Sequence, residues 1–372
     1  MWFATVIFKN LFRRKTRTLL TVAGISIGVA AVVAMTAIAW GFEKGWVRAY
    51  TARGTDLAVT KISSKSPMPT AFPESVKDDL RQLPGVAASS GVLSDFMGIE
   101  ESPGMIVFGW EQKEYLWDHL KLIDGHWPRP GKKELMLGTV SADLLGKKTG
   151  SKVQLDVSEF EVCGIFESPA LVENGAVVMA LPEMQKLTDN PAKVNFINLR
   201  LDPGMDEAGI ERIKAEIKSR FPGFSAFKAT EMVGNNTGVK LAKAMGWATS
   251  LIALVVGAVG MMNTIFMSIF ERIHEIGILL AIGWKRGRIL RMILWESVAL
   301  SVVGGFFGSL LGFVAVRLME MTPIMRGRIS GDMSPQLFGM AFLIALGLGF
   351  LGGLYPAWRG SRMPPCTALR HE

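Results

Sequence analysis

The chain has 372 residues, 49% of them hydrophobic, with a positive mean hydropathy of +0.30, 40 glycines and 21 methionines. That balance fits an integral membrane protein better than a soluble globule. The formal charge of +8 would suit nucleic acid, but the basic residues lie beside the apolar runs and not along a groove-binding element, so no nucleic-acid partner is expected.

The apolar residues collect in four runs, 18–40, 245–270, 289–318 and 337–355. At 1.5 Å per residue each is long enough for a hydrocarbon core of about 30 Å, so four transmembrane α-helices are expected. Arg13, Arg14, Lys15 and Arg17 precede the first run, Lys285, Arg286, Arg288 and Arg291 lie between the second and third, and Arg359, Arg362 and Arg370 follow the fourth. By the positive-inside rule these regions are cytoplasmic, which puts both termini inside. Arg326 and Arg328 run against the bias but are outnumbered.

Residues 1–17 place Trp2, Phe3, Val6, Ile7 and Leu11 on one helical face, the pattern of a cytoplasmic interfacial helix leading into the first span, 18–41. A signal peptide competes with that reading, because Ala37-Ile38-Ala39 resembles a small-residue cleavage site; the apolar stretch from Thr18 is long for a signal core. Gly24 and Gly28 form a small-xxx-small pair, and the spacing recurs at Gly304, Gly308 and Gly312 and at Gly349 and Gly353. Such stripes let helices approach closely, either within one bundle or against a second copy of the chain.

Residues 42–243 have the composition of an extracytoplasmic α+β domain, with strands expected at 57–60, 105–108, 134–137, 152–155, 176–179 and 194–197 and helices at 73–83, 141–145 and 205–221. A break into two lobes is expected. Cys163 is the domain's only cysteine and Cys366 lies across the membrane, so the domain must rest on its core without a disulfide. Cys163 sits in the apolar pattern 161–166 and reads as a buried small residue.

The second span is expected at 244–270. Glu271, Arg272, His274 and Glu275 end it, because a charge at the bilayer centre costs roughly 2.5–3.5 kcal/mol. Within the connection 271–288, Ile273, Ile276, Leu280 and Ala281 recur at helical spacing opposite the charges, and Gly283 reads as a helix stop. The result is a short amphipathic elbow helix, suited to docking of a soluble partner; an ordinary polar loop is the alternative. The third span (289–318), a short outer loop (319–336), the fourth span (337–357) and a cytoplasmic tail (358–372) complete the chain, with Pro356 expected to bend or end the last span.

Catalytic chemistry is not visible. Gly146-Lys147-Lys148 lacks the upstream glycine and following hydroxyl of a phosphate-binding loop, and no Gly-x-Ser-x-Gly elbow occurs. His119 and His126 lack ligand spacing with cysteine or carboxylate neighbours, so hydrogen-bonded histidines are expected and no metal site. The spans carry no mid-membrane carboxylate or lysine for ion coupling, so active transport would need energy from a partner.

Asn10-Leu11 with Arg13-Arg14, 17–21 and 24–29; Met262-Asn263, Glu271-Arg272, Glu275-Ile276-Gly277, Ala281-Ile282-Gly283 and Glu296; and 353–359 with Pro365, Ala368, Leu369, Arg370 and Glu372 form blocks that resemble the FtsX/MacB-type permeases of ABC transporters. Gly125, Trp127, 134–138, Gly150 and 162–165 loosely match the family's periplasmic core domain. Pro365-Cys366-Thr367 stands where the family often has Pro-Val-Glu.

The resemblance implies a multi-pass bacterial inner-membrane permease subunit, not itself an enzyme. A separate nucleotide-binding subunit, which brings ATP and magnesium, would dock on Glu271, Arg272, His274, Glu275, Ile276, Gly277, Ala281 and Gly283. It also implies a second permease copy, contact with membrane lipid, and a periplasmic adaptor or cargo protein. The stroke would export or extract a drug, toxin, peptide, lipid or lipoprotein; alternatively it would transmit force to an outer partner such as a cell-wall hydrolase, with nothing transported. A receptor uncoupled from any ATPase is a third reading.

Overall fold

The computed structural model describes residues 15–63, 66–100, 102–235, 237–322 and 330–362. The interfacial segment before Lys15, the tail beyond Arg362, and Arg326 and Arg328 lie outside the described residues. The chain divides into two units. One comprises Met1–Trp40, Ala242–Met319 and Gly331–Glu372, the other Gly41–Leu241 and Glu320–Ser330.

The first unit is built on long helices, namely the first part of α1 (Lys15–Ala52), α8 (Thr237–Glu271), α10 (Arg286–Met321) and α11 (Pro335–Ser361), with the short α9 (Ile273–Ala281) between α8 and α10. Among the described residues four helices are long and apolar enough to cross a membrane. Their cores follow helical spacing: Ile25, Val29, Val33 and Ala37 of α1 are buried with Met261, Ile265 and Ile269 of α8 and with Ala341, Ala345 and Leu348 of α11. The opposite faces leave Leu20, Ile27, Leu251, Val256, Phe306, Leu343 and Leu351 exposed. So much exposed apolar surface is tolerable only in lipid.

All four helices outrun the expected spans. α1 continues from the expected end at 41 to Ala52, and α11 runs through Pro356 to Ser361, so that proline does not end the helix.

The second unit contains α2 (Val76–Arg81), α3 (Thr139–Leu145), α4 (Leu171–Asn174), α5 (Leu181–Leu187), α6 (Glu207–Arg220) and α7 (Ala229–Asn235) around one large sheet. Its strands are β1 (Leu57–Ser63), β2 (Ser66–Thr70), β4 (Val86–Ile99), β5 (Ser102–Trp110), β6 (Lys121–Gly125), β7 (Glu134–Gly138), β8 (Lys152–Leu155), β9 (Ser158–Glu167), β10 (Val177–Ala180), β12 (Phe196–Leu201) and β13 (Phe224–Lys228); β3 (Phe72–Pro73) and β11 (Lys193–Val194) pair separately. The order is β13-β1-β12-β4-β5-β10-β7-β9-β6, with β8 beside β9. β8 also meets β4 at Leu155↔Ile99, which closes β4, β5, β10, β7, β9 and β8 into a ring and removes free edges there. The two expected lobes are therefore one continuous sheet.

Strand alternation sorts the apolar residues onto two faces. Met105, Val107, Leu135, Leu137, Val177 and Met179 join one core. Phe108, Trp110, Met136, Val178 and Phe166 join another, against Tyr115, Leu116 and Trp46 of α1. The strand expected over 194–197 is interrupted at Asn195, whose side chain accepts from Ser94 N (3.0 Å) and donates to Ser94 O (2.7 Å) on β4.

Candidate coupling site

The elbow is built by a break and a stop. α8 ends at Glu271, and Arg272 leaves helical geometry at φ −110°, ψ 14° before α9 begins. α9 ends at Ala281 and is closed by Gly283, whose φ of +97° suits a residue without a side chain; Gly283 N–H donates to Leu280 O (3.0 Å) and Trp284 N–H to Leu279 O (3.0 Å). That pair of bonds satisfies the last carbonyls as a Schellman cap, the helix stop expected at this glycine. The Arg288 guanidinium then lies 5.2 Å from the Trp284 ring.

Arg272 tethers the elbow. Its Nη1 donates to Glu296 Oε2 of α10 (3.2 Å) and its Nε to Glu275 Oε2 of α9 (3.1 Å). Ile276 is 3% exposed and Gly277 is buried, so these two seat α9 on the bundle. This corrects their placement in the docking set: a buried side chain presents nothing to an outside partner. Glu271, His274, Glu275, Ala281 and Gly283 are exposed. The sequence reading missed Ile278 and Ile282, which are 41% and 73% exposed beside His274. Ile278 follows His274 at i+4 and Ile282 follows Ile278 at i+4, and that spacing was the available signal.

The glycine stripes divide between two environments. A Cβ at Gly304 would lie 2.7 Å from Ile25 Cγ2, at Gly308 2.7 Å from Ser26 O, and at Gly312 2.8 Å from Val33 Cβ, so this stripe faces α1. Ser26 Oγ donates to Gly304 O (3.0 Å) in the same contact. A Cβ at Gly349 would meet Ser301 Cβ at 2.7 Å and one at Gly353 would meet Ser297 Cβ at 2.5 Å, so these face α10; Gly28 faces Ala253 O of α8 at 3.2 Å. All these glycines serve packing inside the bundle. Gly24 differs, because its Cβ would meet nothing within 4 Å.

In the second unit the end of α1 is anchored by a buried charge. Arg53 Nε and Glu173 Oε1 lie 2.5 Å apart with side chains 2% and 1% exposed. The guanidinium carbon lies 4.7 Å from the Phe108 ring and 5.1 Å from the Trp110 ring. His119 Nε2 lies 2.7 Å from Glu173 Oε2, so His119 is a hydrogen-bonded histidine, and Ser168 donates to the same oxygen. Burial alone would push the Glu173 carboxyl up; Arg53, His119 and Ser168 outweigh it and hold it at about 2. Met232 and Val233 of α7 pack with Tyr50 of α1 and Ala58 of β1 in a further small core. No sequence motif marked Arg53 or Glu173.

Cys163 is buried as expected, and burial beside Glu134 pushes its thiol up to about 12. His126, which chain spacing set apart from any ligand, lies with Glu134 and Cys163: their ligand atoms are all within 4.8 Å of one another. It is the group of this kind found among the described residues.

These parts define a multi-pass membrane permease with a large periplasmic domain inserted between its first and second spans. The MacB-like periplasmic core domain matches residues 18–218, and the FtsX-like permease C-terminal domain matches residues 247–365. The chain belongs to the MacB/FtsX family of ABC transporter permeases. An ABC transporter permease of Methanocaldococcus jannaschii is 27% identical over 398 residues, covering 99% of this chain and 97% of its own. The macrolide export ATP-binding/permease protein MacB of Nitrobacter winogradskyi is 28% identical over 397 residues, covering 97% of this chain and 59% of its own. The chain thus spans less than two thirds of the MacB relatives it matches. Among solved structures, the periplasmic region of MacB from Actinobacillus actinomycetemcomitans aligns over 48% of this chain and 92% of that one, at 10% identity and a TM-score of 0.38.

Proposed function

We propose that this chain is the permease half of an ABC machine whose nucleotide-binding subunit is a separate protein that docks on α9 from the cytoplasm. ATP and magnesium enter through that subunit. The observation that carries the reading is the elbow itself: a capped helix seated by Ile276, tethered by Arg272 to Glu296, and offering His274, Glu275, Ile278 and Ile282 outward. A partner that packs on the two isoleucines and meets the charges beside them can push α8 and α10 together, because the tether leaves α9 little freedom of its own.

On this reading both termini are cytoplasmic, two permease copies and two ATPase subunits form the working unit in the cytoplasmic membrane, and the stroke moves the periplasmic domain. The cargo is exported or extracted on the outer side, with an adaptor or the cargo protein itself meeting that domain. Similarity to a macrolide export protein and a pyoverdine export protein supports export over signalling without transport.

The test is co-purification of the detergent-solubilised chain with its ATPase, comparing wild type with Glu275→Arg and Ile282→Asp. Both variants are expected to lose co-elution and to lower stimulated ATP turnover at least about tenfold, the scale of losing one buried interface anchor. Retention of both by folded variants would refute docking on this helix.

A further inference from the structure

The periplasmic domain carries a second arrangement that the coupling function does not use. We propose that His126, Glu134 and Cys163 form a binding site for a borderline-soft divalent cation, with zinc as the matching ion, and that Arg129 guards it.

Glu134 lies on β7 and Cys163 on the adjacent β9, and His126 is the residue just after β6, which pairs with β9 on its other side. Glu134 opens β7 and is buried, while Cys163 lies on β9 where the β7–β9 register shifts, with Leu135 opposite Val162 but Met136 opposite Gly164. The extra residue is Cys163, and a bulge of this kind re-aims a side chain that would otherwise alternate. His126 follows directly on β6, and its N–H donates to Cys163 O (2.8 Å). Gly125 makes that approach possible: its φ is +83°, and a Cβ there would lie 2.7 Å from Gly164 Cα. Two of the side chains are therefore held on strands and the third is tied to β9 by its own backbone hydrogen bond, the kind of support a metal site needs.

The hydrogen bonds also set the imidazole. His126 Nδ1 lies 2.9 Å from Trp127 O, a carbonyl that can only accept, so Nδ1 carries the proton. Nε2 is then a lone pair, and it receives Arg129 Nη2 at 3.3 Å. A ring nitrogen donating to a backbone carbonyl while the other faces inward is the pattern that orients metal-ligating histidines. One sulfur, one imidazole nitrogen and one carboxylate oxygen suit zinc, whose bonds run about 2.0–2.3 Å, with a fourth position open to water or an exogenous ligand. His126 is exposed, so it can make the small rotation that closes the 4.8 Å span, and solvent reaches the site from its side.

Arg129 holds the cation position in the arrangement seen here. Its Nη2 is 2.5 Å from Glu134 Oε1, its Nε is 3.1 Å from the same oxygen, and its N–H donates to Glu134 Oε2 at 2.9 Å. Its side chain is 54% exposed, so it can swing out as the metal enters. On coordination the Cys163 thiol loses its proton to the buffer and the sulfur supplies the electron pair of the new bond; no redox change occurs.

The competition yields a test that a purely structural triad would fail. The full chain in detergent, in a Cys366→Ser background so that Cys163 is the single thiol, is titrated with cobalt(II) as a spectroscopic stand-in and then with zinc. Wild type is expected to show a near-ultraviolet thiolate-to-cobalt band at one ion per chain, displaced by zinc. Cys163→Ser should abolish the band, and His126→Ala should weaken binding at least about tenfold. Arg129→Gln should tighten binding, because it removes the competing cation while keeping the fold. No band in folded wild type, a band that survives Cys163→Ser, or an Arg129→Gln variant that binds more weakly would each overturn the proposal.

Discussion

Replacing Glu173 by Gln tests whether the end of α1 is locked to the periplasmic domain by charge. In the native arrangement Arg53 and Glu173 are both essentially buried, and Arg53 Nη2 has no hydrogen-bond partner among the described residues. Removing the carboxylate charge leaves a buried guanidinium with no opposing charge from that residue, held by the Gln amide oxygen and the aromatic rings. Breaking one side of a buried pair costs about 3–5 kcal/mol, and Gln retains an acceptor, so about 3 kcal/mol is expected. For a domain of this size that is a loss of about 6–12 °C in the melting temperature. The assay is thermal unfolding of the full chain in detergent, read by near-ultraviolet circular dichroism, to which Trp110 and Trp117 contribute from within the affected core. A second variant, Arg53→Met with Glu173→Leu, removes both charges and should recover most of the loss, since an apolar pair of similar volume avoids the uncompensated cation. A Glu173→Gln melt within about a degree of wild type, or a double variant no better than the single one, would refute the account.

The same carboxylate predicts an acid limb. Its folded value of about 2 lies below the ordinary glutamate value of about 4.3, so its stabilisation is fully present above that value and is lost as pH falls toward 2. The loss is on the order of 3 kcal/mol and should vanish in Glu173→Gln when melting is followed from pH 6 down to about 2. Gly308→Ala should destabilise the helical unit by about 1–3 kcal/mol because its Cβ would press on Ser26 O and Val29 Cβ, whereas Gly24→Ala should be neutral; detergent melts of the two variants compare them directly. Arg272→Met should free the elbow, raising limited-proteolysis rates between 272 and 286 by roughly tenfold, and Glu296→Leu added to it should restore much of the protection.

The spans were legible because lipid demands one thing of a helix, about 20 consecutive apolar residues, and composition records it directly. The elbow was legible for the converse reason: Glu271, Arg272, His274 and Glu275 cannot stay in hydrocarbon, and Gly283 is the residue type that accepts a φ of +97°. The sheet was harder. β4 pairs with β5, β12 and β8, yet its sequence, Val-Ala-Ala-Ser-Ser-Gly-Val-Leu-Ser-Asp-Phe-Met-Gly-Ile, carries little β propensity and was not expected as a strand. Neighbours on both sides, not intrinsic preference, make it extended. The end of α1 was missed for a similar reason: beyond Gly41 the composition turns polar, and only the packing of Trp46 and Tyr50 on the domain shows why the helix continues.

Sequence alone therefore determined the class of the protein, the number of spans, the position of the elbow and the absence of a phosphate-binding loop, all of which depend on local composition or on contiguous residues. Tertiary structure alone decided which side of each feature faces what. It turned Ile276 and Gly277 inward and Ile278 and Ile282 outward, and assigned the stripe from Gly304 to Gly312 to α1. It also joined Arg53 to Glu173 across 120 residues and gathered His126, Glu134 and Cys163 around one point. Contacts of this kind arise from strand order and helix rotation, which depend on the whole chain packing at once, so no spacing along it records them.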